Sequence, residues 1–430
     1  MRKQTLGTRM RLLTGVAGFA VVLAGAHAAR ASGFGLREGN ADWLGTAFAG
    51  DEAKAYDAST VWSNPAGMAL LDQNEFEGGV SLIAPSITFH GSATDPTTAP
   101  IAGTQGGNDI APAATGALFG VYVLNPDWRL GVSVTAPYGE RTAYPFDWVG
   151  KYQSLVSSIT DINLGLALSY RVNPNFSIGF GPNFDYFQAR LTQGVYTGVN
   201  ALYGTPVAQI KGNSIGVGYN VGALYQFDDG TRLGIDYRSR IRHDLYGSQS
   251  IGAPAAYGAT FAPFNSAATT SITLPDSLSV GLYKQITDKL ALMGTVQWTE
   301  WSLFKNLAVT VKNGTGNTTI VENYRDAWMA AIGANYQLTD RILLQTGFAY
   351  DESPVTAAYR TTRVPDANHY DVGVGVQYKL TPNVTLAAAY GHVFTSGGSI
   401  HNSASAAAGV ITGNYGLSDN SATVGVDVKF

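Results

Sequence analysis

From residue 75 onward the chain alternates between apolar residues and small or polar ones. In Tyr370-Asp371-Val372-Gly373-Val374-Gly375-Val376-Gln377-Tyr378-Lys379 every even position holds tyrosine or valine, and every odd one is acidic, glycine, amide or basic. Ile162, Leu164, Leu166, Leu168 and Tyr170 alternate in the same way with Asn163, Gly165, Ala167, Ser169 and Arg171. Period two sends the two sets to opposite faces of a strand. Runs of about ten residues match the length a tilted strand needs to cross a membrane.

The spacing predicts about fourteen such strands, near 75–89, 111–124, 128–138, 160–171, 175–190, 213–227, 230–243, 272–285, 289–301, 326–338, 341–350, 369–380, 383–394 and 420–430. Tight connections carry hairpin-turn chemistry: Asn125-Pro126-Asp127, Asn173-Pro174-Asn175, Asp228-Asp229-Gly230, Thr287-Asp288, Thr339-Asp340 and Thr381-Pro382-Asn383. Long ones fall near 90–110, 139–159, 191–212, 244–271, 302–325, 351–368 and 395–419. Short and long alternate strictly. That is the pattern of an all-β, up-and-down antiparallel transmembrane barrel, with short turns on the periplasmic side and long loops outside. A soluble sandwich would not put every long connection on one side. The last strand agrees, with Val424, Val426, Val428 and the terminal Phe430 on one face.

Composition supports this reading. Mean hydropathy is +0.01, too polar for a helical membrane protein, and only 13% of residues are charged. In a barrel only alternate strand residues meet lipid. A net charge of −4 supplies no basic patch for nucleic acid, and with no cysteine there is no thiolate nucleophile, thiolate metal site or disulfide framework.

Residues 1–31 read as a signal peptide. Arg2, Lys3, Arg9 and Arg11 precede a short apolar core, and Ala29-Arg30-Ala31 or Ala26-His27-Ala28 supplies the cleavage box. Residues 32–74 do not alternate, yet they hold Phe34, Trp43, Phe48, Tyr56 and Trp62. Disordered tails are poor in aromatics. A barrel of this size would otherwise enclose a wide aqueous hole. The segment is therefore expected to plug the lumen of a barrel formed by 75–430.

Several motifs carry a family resemblance. They are Ser32-Gly33-Phe34-Gly35-Leu36, Ser63-Asn64-Pro65-Ala66, Tyr138-Gly139, Trp301-Ser302-Leu303-Phe304 and Tyr324-Arg325-Asp326-Ala327. Asp351-Glu352-Ser353-Pro354-Val355 followed by Arg363-Val364-Pro365-Asp366 is the most specific. In order and spacing they resemble the FadL-type outer-membrane transporters for long-chain fatty acids and for toluene or xylene. The resemblance covers nearly all the chain after the leader. It implies a fourteen-stranded barrel closed by an N-terminal hatch, a monomer, no cofactor, and hydrophobic small molecules as partners in the setting of outer-membrane lipid and lipopolysaccharide. It further implies an outer groove between the third and fourth loops, an apolar lumenal pocket, and sideways release beside a kinked third strand.

On that resemblance Phe34 reaches the bound ligand. Asn64, Pro65 and Ala66 fix the fold of the hatch, and Pro137, Tyr138 and Gly139 form the kink. Pro137 cannot donate to the ladder, so it either breaks the strand or ends it. Apolar residues in the fourth loop (Tyr257, Phe261, Phe264) and the third (Val195, Tyr196) would line the groove or pack the loops together. A fatty-acid carboxylate wants a charged donor. Arg325 stands where the family carries a basic residue. Gln188 replaces the other expected arginine, and Arg190 would return to the same face two residues later. Each arginine could equally serve a lumenal or rim ion pair.

Two other functions fit less well. The chain contains no His-Glu-x-x-His and no cysteine nucleophile, so an embedded metalloprotease or thiol enzyme has no motif behind it. A general hydrophilic porin would leave an open, ion-conducting lumen.

Overall fold

The computed structural model describes residues 33–430 apart from 109–111, 199, 201–204, 256–257 and 404; the leader and Tyr257 lie outside the described residues. The barrel opens with β1 (Glu75–Thr94), β2 (Ala113–Val123), β3 (Trp128–Thr135) and β4 (Gly139–Ala143), then β5 (Val156–Asn173), β6 (Phe176–Gly194) and β7 (Val207–Gln226). It continues through β8 (Thr231–Arg238), β9 (Ile241–Gly252), β10 (Ser266–Leu274), β11 (Ser277–Gln285) and β12 (Leu290–Thr299). A small hairpin, β13 (Asn306–Val311) and β14 (Thr318–Val321), precedes β15 (Ala327–Thr339), β16 (Ile342–Asp351) and β17 (His369–Thr381). Last come β18 (Val384–Thr395), β19 (Gly398–Asn402) and β20 (Val410–Lys429).

Four wall strands are interrupted, so that β3 with β4, β8 with β9, β10 with β11, and β18 with β19 each make one crossing. That gives fourteen antiparallel crossings. The wall closes where β1 pairs with β20 from Glu75↔Lys429 to Thr94↔Val410, leaving no sheet edge for hydrocarbon to strand. The short turns are made by the side chains the sequence indicated. Asn125 Oδ1 accepts from Asp127 N (2.9 Å) and Trp128 N (3.0 Å), and Thr339 Oγ1 accepts from Ile342 N (3.1 Å).

The alternation faces the way a membrane demands. On β6, Ile178, Phe180, Phe184 and Tyr186 are exposed, while Ser177, Asn183 and Asp185 are buried toward the lumen. Ile215 is 74% exposed, and Asp185 only 1%. A water-soluble protein would reverse those two figures. Phe430 is exposed too, and its N–H donates to the Asn74 carbonyl (2.9 Å).

Residues 33–74 fold into short helical turns against the inner face of the wall. Asn40 caps Ala41–Gly45 through Asp42 N and Trp43 N. Lys54 is ion-paired to Asp42 (2.5 Å) and Asp51 (2.6 Å). Wall arginines grip backbone carbonyls: Arg129 Nε donates to Leu71 O (2.8 Å), and Arg238 donates to Trp62 O (2.6 Å) while stacking on the Trp62 ring. The wall meets this segment on glycines. A Cβ on Gly347 would lie 1.9 Å from Thr46 O, on Gly373 2.0 Å from Leu44 O, and on Gly234 1.9 Å from Glu52 O. Much of the chain's wealth of glycine is thus a socket for a neighbouring backbone rather than turn chemistry.

Candidate functional site: an apolar cavity floored by the N-terminus

Between the inner segment and the external loops lies a cavity of about 820 Å3. Inward-facing positions of neighbouring strands supply its walls: Phe187, Ala189 and Leu191 from β6, Ile210 and Gly212 from β7, Leu245 and Gly247 from β9, Ala268 and Ile272 from β10. Gly212 and Gly247 face each other across the β7–β9 ladder, which hollows the wall there. The hairpin in the loop after β12 folds inward to add Leu307 and Val309. Apolar lining of this kind favours apolar ligands, at about 0.8 kcal/mol per buried methylene.

Phe34 forms the floor and is 1% exposed. Its ring meets Trp301 (4.8 Å, edge-on), Tyr138 (5.9 Å) and Phe304 (5.9 Å). Such contacts contribute about 0.5–1.5 kcal/mol each beyond burial. The two most specific motifs of the sequence explain how this end is held. Asp366 Oδ2 accepts from Gly33 N (2.9 Å) and from Ser353 Oγ (2.7 Å), and Arg37 is ion-paired to Asp351. Below the aromatic floor a second, more polar cavity of about 930 Å3 is lined by Leu36, Arg37, Trp62, Pro137, Tyr138 and Arg238 among others.

The third crossing is broken, not ended, at Pro137. The β2–β3 ladder stops at Leu118↔Val134. Beyond the break β4 resumes against β5 alone, from Gly139↔Thr160 to Ala143↔Val156. In place of β2, the N-terminal segment supplies the missing partners: Leu36 N donates to Pro137 O (2.8 Å), and Gly139 N donates to Phe34 O (2.9 Å). Residues 34–36 thus stand in for a stretch of wall, and Phe34 also floors the cavity.

Asn64 sits fully buried, donating to Glu52 O (2.8 Å) and Ala223 O (3.0 Å) and accepting from Ala66 N. It caps the short 3-10 helix Pro65–Leu70 and ties it to β7. Phe264 lines an outer cavity of about 1210 Å3 that shares Leu191, Ile210 and Arg363 with the inner one. Phe261 packs on Phe264 (6.0 Å), and Tyr196 of the third loop packs on Tyr152 (5.6 Å).

The two arginines expected at a carboxylate are not at the cavity. Arg190 shares a face with Gln188, as its spacing requires, but that face is the outer one, where it donates to Gln209 (2.8 Å). Arg325 is exposed, and its Nε donates to Ser353 O (3.2 Å), while its neighbour Tyr324 turns inward onto Phe304. The cations that line the cavity are Arg363 and Lys211, beside the carboxyl groups of Glu140 and Glu322. The sequence displayed Arg363 only as part of a fingerprint, and Glu322 carried no motif. Elsewhere in the lumen, Ser214 Oγ lies 2.9 Å from His243 Nδ1, and His243 Nε2 lies 3.4 Å from Asp185. None of the three lines the cavity.

A closed barrel with apolar residues outside and an occluded lumen defines an outer-membrane barrel of the channel class. Residues 22–430 match the model of the outer membrane protein transport family (OMPP1/FadL/TodX), and the chain belongs to that family. It is 30% identical over 389 residues to the 47 kDa outer membrane protein of Pasteurella multocida, covering 86% of this chain and 88% of that protein. It is 28% identical over 420 residues to the long-chain fatty acid transport protein of Escherichia coli K12, covering 90% and 92%. In fold it superposes on a Pseudomonas aeruginosa FadL homologue with a TM-score of 0.86 (24% identity, 93% of this chain and 100% of that one). The Ralstonia pickettii toluene transporter TbuX gives 0.67 (18% identity, 91% and 99%).

Proposed function

We propose that this protein is an uptake channel carrying hydrophobic compounds across the outer membrane, long-chain fatty acids first among them. Ligand enters through the outer cavity by the third and fourth loops, binds in the apolar cavity, and leaves sideways past the break at Pro137. Residues 33–74 act as the hatch. The single observation that carries this reading is that Phe34 both floors the apolar cavity and, through its carbonyl, patches the broken wall. A ligand that displaces this end shifts the population toward an open wall. The name of the Escherichia coli relative supports fatty acids. The named toluene transporter among fold neighbours supports a second reading, alkanes or monoaromatic hydrocarbons.

Uptake of labelled oleate and labelled toluene by cells with and without the protein tests both. Accumulation of either that depends on the protein supports the channel, and the preferred compound names the class. No dependence for either overturns it. A large, steady ionic conductance in planar bilayers would instead favour a hydrophilic porin, and phospholipid hydrolysis by purified protein would favour an enzyme.

A further inference from the structure

Between the outer and inner cavities stands the hairpin of β13 and β14, whose ladder runs from Asn306↔Val321 to Val309↔Thr318. Strand alternation puts Leu307, Val309 and Val311 on one face and Ala308 and Thr310 on the other. Leu307 and Val309 line the inner cavity, while Thr318, Thr319, Ile320 and Val321 line the outer one. Leu191, Ile210 and Arg363 border both, so the two spaces meet at the edge of the hairpin. One piece of chain is thus ceiling to the inner chamber and floor to the outer.

Its hold on the wall is slight. The ladder to β10 consists of two rungs, Ala268↔Val311 and Thr269↔Thr310, with Lys312 N donating to Ala267 O (2.8 Å) beside them. By contrast β9 and β10 pair without a gap from Ser266↔Gln249 to Leu274↔Ile241. At the tip Asn313 Nδ2 donates to Pro263 O (2.6 Å), and Gln249 Nε2 reaches Thr315 O at 3.4 Å. The tip also closes on itself: Val311 N donates to Asn317 Oδ1 (2.8 Å), and Asn313 Oδ1 accepts from Thr315 N (3.1 Å). The base is firmer. Glu322 N and Asn323 N each donate to Lys305 O (2.9 Å), and Tyr324 N donates to Phe304 O (3.1 Å). The rings of Phe304 and Tyr324 meet at 5.0 Å, and Phe304 packs on Phe34 in the aromatic floor. A two-stranded hairpin is marginally stable by itself. Held tightly at one end and lightly at the other, it opens about the tight end.

We propose that this hairpin is a hinged partition, pivoting at Lys305 and Asn323, which ligand lifts to pass from the outer cavity into the inner one. Lifting breaks the two rungs and the tip bonds but keeps the β13–β14 ladder, so the hairpin moves as one body. Val309 and Val311, both 2% exposed, rest on Ala268 and Ile210 when it is shut. As it rises, the ligand chain takes their place on that apolar surface, so the passage exposes little of it to water. This rests on the uptake reading and adds the element that admits ligand. It makes the hairpin a determinant of entry rate and not of affinity, because the hairpin is shut again once ligand is bound.

The test is the rate at which parinarate, a fluorescent long-chain fatty acid, binds to the purified protein in lipid nanodiscs, measured by rapid mixing beside the equilibrium affinity. Thr269→Cys with Thr310→Cys joins the partners of one rung, both exposed, at a separation that a disulfide spans. Its oxidation should slow binding about tenfold or more relative to the reduced form, with affinity kept within about twofold. Asn313→Ala, whose side chain lines neither cavity, should speed binding about threefold, again at unchanged affinity. Folding of each variant is checked by heat-modifiable gel migration. A hairpin that merely braces the loops would alter assembly or affinity and leave the rates alone. Equal rates for the oxidised and reduced pair, or the parent's rate in Asn313→Ala, overturn the partition, while binding by the parent leaves the uptake reading intact. Failure of the parent to bind overturns both.

Discussion

Two interruptions of the barrel wall invite comparison, because both fall at a proline or beside one and they are sealed in opposite ways. Where β8 gives way to β9 and β10 to β11, around Ser239-Arg240 and Pro275-Asp276, the gap is sutured from within the wall. Arg240 Nε donates to Asp276 (2.8 Å), Arg240 is also ion-paired to Glu300 (2.7 Å), Tyr237 donates to Asp276 (3.0 Å), and Ser239 exchanges bonds with Tyr219. At Ala136-Pro137-Tyr138 the described residues show no such ion-paired network; from the wall, the Asp161 carboxyl accepts from the Tyr138 backbone N–H. The seal there comes from Phe34 and Leu36 of the N-terminal segment, and Phe34 also lines the apolar cavity. On the proposed sideways route, a proline in a strand is therefore not what makes a gate. What matters is whether the partner that closes the break is free to leave.

That contrast can be broken experimentally. The chain has no cysteine of its own, so engineered pairs report cleanly. Gly35→Cys with Tyr138→Cys joins bridge partners across the third-strand break. Its oxidation should cut uptake about tenfold or more, with reductant restoring it. Tyr219→Cys with Ser239→Cys at the other break should leave uptake unchanged, and equal inhibition by both pairs would erase the distinction. Next in size, Phe34→Ala should lower uptake about fivefold by removing a ring that lines the apolar cavity and packs on Tyr138 and Trp301 beside the break, with barrel assembly unaffected. Asp276→Ala should act in the reverse sense. By stranding the donors of Arg240 and Tyr237 it should cost about 2–3 kcal/mol of stability, read as a lower unfolding temperature, with uptake per folded molecule unchanged. The smallest effect sharpens the argument. Pro137→Ala should change uptake less than about twofold, because the missing ladder partner and not the ring defines the break.

The sequence reveals the fourteen crossings because a membrane enforces period two and because short turns advertise themselves in Asn, Asp, Gly and Pro. It reveals the ends of the strands less well. The ladder runs on to Thr94, to Gly194 and back to Val410, well beyond the alternating runs. Outside the hydrocarbon both faces are polar, so pairing continues after the pattern stops. The same loss of pattern hid the β13–β14 hairpin in a long connection. It also misplaced Arg190, since a two-residue step fixes a shared face but not which face looks inward. Phe34 at the aromatic floor, Asn64 in a helix cap and Pro137 at a strand break each sit in a local motif, and such motifs are visible in sequence. The meeting of Glu322 and Arg363 on the lining of one cavity could not be read ahead. It is made by two loops 41 positions apart, and only their folding puts one beside the other.

The glycines that let the wall touch the inner segment have a consequence for how such a protein can change. Where a single added methyl would collide with a neighbouring backbone, as at Gly347, Gly373 and Gly234, neither side can be altered alone. That zone is effectively cast in one piece. Higher up, Ala189 and Ala268 border empty space and not another chain segment, so larger or smaller side chains there reshape the chamber without disturbing the casting. New ligand preferences should accordingly be reached, by selection or by engineering, through the upper third of the molecule, with the lower part passed on intact.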